Sequence, residues 1–196
     1  MRRPRVLSFA LGLVLGVLIA ATTAGASAPG QRLGHTVRFD LVSIVDGGVA
    51  GPTVVAGGTD TARDSATGDT LELTGSGQAK PSGTDGAGGG TFVHRHADGS
   101  EVAHGVWVVR SLRSWTPAGG SLPLTDAIGH QSDASAGILA LNVTIYPVAG
   151  PPIDGVVTVH CDLPGATQVI EEGVSADVGP FHFTQAGGFT LFHILS

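Results

Sequence analysis

Leu139-Ala140-Leu141-Asn142-Val143-Thr144-Ile145-Tyr146 sets large apolar residues at every second position and small or polar ones between them. Successive side chains of an extended backbone point to opposite faces, so a period of two marks a strand with one buried face and one wetter face. Val157, Val159, Cys161 and Leu163 repeat the pattern, with Thr158, His160 and Asp162 opposite. Shorter versions occur at Val37, Phe39 and Leu41, at Leu71 and Leu73, and at Phe181 and Phe183. Val102 to Val109 is apolar on both faces apart from His104 and Gly105, the pattern of a central strand covered on two sides. Beyond residue 28 no segment longer than about ten residues carries the i, i+3, i+4, i+7 spacing of an amphipathic helix. Gly, Pro, Asp, Ser and Thr fill the intervals, as turns require.

About eight to ten such segments define an all-β chain. The expected architecture is a single antiparallel β-barrel, with a two-sheet β-sandwich as the alternative. Closure favours the barrel, because it removes the exposed edges of a weakly charged sheet. Two stretches read as loose. Residues 46–70 hold one short apolar run, Val54-Val55-Ala56, and residues 75–90 hold seven glycines and little to bury.

The N-terminus reads as an export leader. Arg2, Arg3 and Arg5 precede an apolar run from Val6 to Ala21, and Ala26-Ser27-Ala28 supplies the small residues of a cleavage site. This predicts a signal peptide over 1–28 and a single all-β domain over 29–196, secreted or otherwise extracytoplasmic. Membrane association is expected only where the leader stays uncleaved, since its apolar run is near the lower limit for a bilayer span. Of the ten basic residues of the 196-residue chain, three lie in the leader. Seven then face all sixteen acidic ones, a balance that argues against nucleic-acid binding. The single cysteine excludes both an intrachain disulfide and a four-cysteine zinc site.

Catalytic signatures are absent at the level of motifs. No Ser lies in G-x-S-x-G, and neither H-E-x-x-H nor G-x-x-x-x-G-K-[ST] occurs. A carboxylate pair assembled from distant strands stays open. Cys161, on the apolar face of its strand, reads as a small buried hydrophobe, and Trp107 and Trp115 read as core.

The constellation with chemical potential is His94, His96 and His104. His94 and His96 share a strand face, and neutral imidazoles two apart suit Zn²⁺ or Cu²⁺, so these three are the candidate metal ligands; no other cofactor is expected. Ala97-Asp98-Gly99-Ser100 is a hairpin turn whose register decides whether His104 joins them. A two-residue Asp98-Gly99 turn sets His94 opposite Ala103, His96 opposite Glu101, and His104 beside Val93 on the other face. A three-residue Ala97-Asp98-Gly99 loop, with Gly99 left-handed, pairs His96 with Ser100 and Phe92 with His104, placing all three imidazoles together.

Three function classes follow. The leading one is a secreted binding module for a small apolar ligand or an extracellular partner. The second is a structural or cell-envelope interaction protein without a pocket. The third is an extracellular enzyme or metal-binding protein that uses His94, His96 and His104. An apolar cavity ringed by a few polar groups supports the first, and a filled interior the second.

Overall fold

A computed structural model describes residues 34–196. The expected signal peptide over 1–28 lies outside the described residues. Within them are thirteen strands, two short 3₁₀ turns (Gly48–Ala50 and Gln131–Asp133) and no α-helix. The first half of the chain forms β1 (Thr36–Asp46), β2 (Pro52–Ala56), β3 (Asp60–Asp64), β4 (Thr70–Leu73), β5 (Ser76–Ala79) and β6 (Gly86–Arg95). The second half forms β7 (Glu101–Gly119), β8 (Thr125–Asp126), β9 (Ala134–Pro147), β10 (Ile153–Cys161), β11 (Gly173–Val178), β12 (Phe181–Gly187) and β13 (Phe189–Leu195).

All thirteen strands belong to one hydrogen-bonded sheet, rather than the two of a sandwich. Its ladders run β10-β11-β12-β3-β4-β6-β7-β9, and β10 also pairs with β9, so this path returns to its start. From β9 the path continues through β13 and β1 to β5, which rejoins β6. The pairing is antiparallel with one exception. β2 and β8 run parallel over Thr53↔Thr125 and Val54↔Asp126, which makes the sheet mixed where a purely antiparallel one was expected. The chain reaches β8 after the long excursion through β7, so it can arrive beside β2 in the same direction.

The alternation read from residues 139–146 holds in the packing. Leu139, Leu141, Val143 and Ile145 are buried and join one core with Val157, Val159, Cys161, Leu73, Trp107 and Phe192. β7 keeps pace with β9 by inserting extra residues. Val109 faces Val143, Leu112 faces Leu141 and Trp115 faces Leu139, with Arg110 and Arg113 as the unpaired residues between them. Each bulge shifts the inward positions by one, so a spacing of three in β7 matches a spacing of two in β9. The expectation that Val102–Val109 is covered on both faces does not hold. Trp107 and Val109 are buried, whereas Val102 and Val106 are exposed.

The two stretches expected to be loose are also built into the sheet. Residues 46–70 contain β2 and β3, and residues 75–90 contain β5 and the first half of β6. Glycine serves close approach there. A methyl group on Gly90 would overlap the Thr74 carbonyl oxygen, and one on Gly77 would overlap the Ala87 carbonyl oxygen and the Phe39 ring. Trp107 Nε1 donates to that same Thr74 carbonyl at 2.9 Å, so the glycine-lined backbone lies against a buried indole.

Candidate functional site

One end of the strands leaves a cavity of about 290 Å³. β4 contributes Leu71, β6 Phe92, His94 and, just past its end, His96, β7 Ala103, β9 Ile145, and β12 Phe181 and Phe183. The turns Pro147–Ile153 and Val178–Phe181 form the rim. Every lining side chain is apolar except the two imidazoles.

The hairpin that carries those imidazoles combines both registers weighed from the sequence. His96 N–H donates to Ser100 O at 2.8 Å and Gly99 N–H to His96 O at 2.9 Å, with Gly99 at φ +85°, which is the three-residue loop. Arg95 then pairs with Glu101. Val102 is extra, and beyond it His94 pairs with Ala103 and Val93 with His104, the register of the two-residue turn. The bulge therefore turns His104 to the opposite face from His94. Its Nδ1 donates to Glu101 Oε1 at 2.6 Å in an exposed pair. The structure thus brings His94 and His96 to the cavity and leaves His104 outside it. Among the described residues, no three His, Cys, Asp or Glu side chains are grouped to hold a metal ion.

What stands with the two imidazoles is Asp69. His94 Nε2 donates to Asp69 Oδ2 at 3.0 Å, and His96 Nδ1 lies 3.3 Å from the same oxygen. The carboxylate is buried and His94 nearly so, while the His96 side chain is 59% exposed at the mouth. Ladder register explains the meeting. Leu71 of β4 lies opposite His94 of β6, so Asp69, two residues earlier on the same face, falls opposite His96. No local signal in the sequence could have found Asp69, which is 25 residues from His94. Phe181 and Phe183 meet the His94 ring edge-on, with centroids 4.9 and 5.5 Å away, and fix its plane.

Other titratable groups are buried away from the cavity. Asp60 is fully buried, its Oδ1 accepts the Phe189 N–H, and burial, with Glu172 nearby, pushes its carboxyl up to about 7. Burial likewise raises Glu172, which accepts the N–H groups of Asp162 and Thr190 and the Thr190 hydroxyl. Both acids accept backbone N–H groups of β13, Phe189 for Asp60 and Thr190 for Glu172. His193 Nε2 donates to Asp126 Oδ2 at 2.7 Å, with both side chains 1% exposed. Burial drives the Cys161 thiol well above its usual range, so its nucleophilic thiolate is suppressed.

No family model, no curated protein and no solved structure matches the chain.

Proposed function

We propose that residues 34–196 close into a β-barrel whose open end binds a small apolar molecule, and that the protein works as an extracytoplasmic binding module. The carrying observation is the cavity of about 290 Å³ lined by apolar side chains, with polar atoms confined to one corner. Such lining is what favours transfer of an apolar solute out of water, since each buried methylene contributes about 0.8 kcal/mol. A cavity of about 150 Å³ holds benzene, so the ligand has roughly a dozen heavy atoms. The returning ladder path through β9 and β10 supports closure, because a ring of paired strands exposes no edge. The leader-like pattern of residues 1–28, basic then apolar then small, supports export, and the acidic balance of the remainder supports a partner other than nucleic acid.

Fluorescence titration with 1-aminonaphthalene, which has eleven heavy atoms, tests this reading. The dye should bind saturably with a blue-shifted emission. Ala103→Phe places a ring in the cavity, and it should weaken binding about tenfold, or ~1.4 kcal/mol, at an unchanged melting temperature. Absence of saturable binding, or binding indifferent to Ala103→Phe, would overturn it.

The interaction-protein reading draws on a different feature. The uncharged rim segment Pro147–Ile153 leaves Val148 74% exposed and Ile153 40% exposed. An apolar rim of this kind also suits contact with another macromolecule.

A further inference from the structure

The apolar cavity alone does not account for two imidazoles turned onto one buried carboxylate. An ionised carboxylate only accepts hydrogen bonds, so the His94 nitrogen that faces Asp69, Nε2, carries the hydrogen. In the neutral ring this leaves Nδ1 as a lone-pair acceptor, and among the described residues it has no protein partner. His96 repeats the arrangement less tightly. Its Nδ1 contacts the same Asp69 oxygen, and Nε2 is left free at the mouth. Asp69 thus acts as an orienting group that sets the tautomer of the residue beside the ligand space, as carboxylates do for histidines in metal sites. Phe181 and Phe183 remove the freedom of the His94 ring to turn away.

We infer that this corner selects, among apolar ligands, those that carry a hydroxyl group, a phenol or an alcohol, whose O–H donates to His94 Nδ1. The inference rests on the binding reading above and adds the polar part of the ligand to it. A ligand carboxylate is disfavoured, because the corner already holds the Asp69 negative charge and presents acceptors rather than donors. An ether or hydrocarbon of the same shape fills the cavity but leaves the acceptor unpaired. That loss is read as a three- to tenfold weaker affinity.

Displacement of 1-aminonaphthalene from the full chain at pH 8 by 2-naphthol, 2-methoxynaphthalene and 2-naphthoate tests the assignment. 2-Naphthol should displace the dye three- to tenfold more tightly than 2-methoxynaphthalene, with 2-naphthoate the weakest. In His94→Phe, which keeps a planar ring against Phe181 and Phe183, the gap between naphthol and its ether should vanish. Saturable dye binding in the variant reports that the pocket is intact, and the ratio of the two affinities is what is read. Equal affinities of naphthol and ether in the unaltered protein, a preference for naphthoate, or a gap that survives His94→Phe would overturn the hydroxyl assignment while leaving the apolar site standing. The comparison in the unaltered protein decides the matter even where His94→Phe fails to fold. If the dye itself does not bind, the pocket reading fails, and the hydroxyl assignment fails with it.

Discussion

Asp60 is a carboxylate in the wrong solvent. It sits fully buried where β3 meets β12 and the start of β13, with one oxygen on the Phe189 N–H and the other without a partner. Its folded-state carboxyl titrates near 7, against 3.8 when unperturbed, so between these values the folded chain binds the extra proton. The contribution of Asp60 to stability therefore falls as pH rises from about 4 to about 7 and levels off above that. Asp60→Asn keeps the acceptor for Phe189 and removes the charge. It should stabilise the protein by about 2 kcal/mol at pH 8 and by little at pH 4. Urea midpoints at the two pH values check this, and an equal shift at both would show that charge is not the cause. From the sequence, Asp60 is an ordinary acid in a turn-rich stretch. Only its burial makes it unusual, and burial is set by strands far away in the chain. Asp69 belongs to the same class. His94 and His96 could be singled out by their spacing, whereas their carboxylate partner could not.

At the scale of elements, β6 shows how composition misleads. Its glycines, read as loop residues, let β4 and β5 lie along one edge of β6 in succession, with Leu73↔Phe92 followed by Ser76↔Gly89. Gly90 stands at the changeover, where a side chain would collide with Thr74 backbone. Gly90→Ala should destabilise by about 3 kcal/mol, since the obstacle is main chain and cannot rotate aside. Gly83→Ala, in the turn between β5 and β6 with nothing within 4 Å of the added methyl, should change stability by less than about 0.5 kcal/mol. Chemical denaturation of the two variants compares them directly. Equal effects would remove the close-approach account of this strand. The hairpin that follows is partly legible. Asp98-Gly99 announces a turn, and Gly99 takes the left-handed conformation its lack of a side chain permits. The second irregularity at Val102, which reverses the face of His104, has no mark in the residues themselves, because an alternating strand tolerates a bulge at many positions.

Across the whole molecule, the two ends of the described chain depend on each other. β13 pairs with β1 from Thr36↔Leu195 to Val42↔Phe189, and its Leu191 and Phe192 are buried in the common core. Losing those two side chains forfeits about 1.5–3 kcal/mol each, before the ladder itself is counted, against a typical total of 5–15 kcal/mol. A chain ending at Gly188 should therefore show no cooperative thermal transition by circular dichroism. A sharp transition in that truncation would mean that β1 and its neighbours are held by something other than β13. The sequence by itself determined the class of structure and the inward face of the regularly alternating strands β9 and β10, because alternation is a local property of an extended backbone and hydrophobicity a property of each side chain. Tertiary structure alone decided which strands pair, where the ladder path returns, which acids are buried and which carboxylate orients His94. Those outcomes depend on surfaces that meet only after distant segments have closed over a shared core.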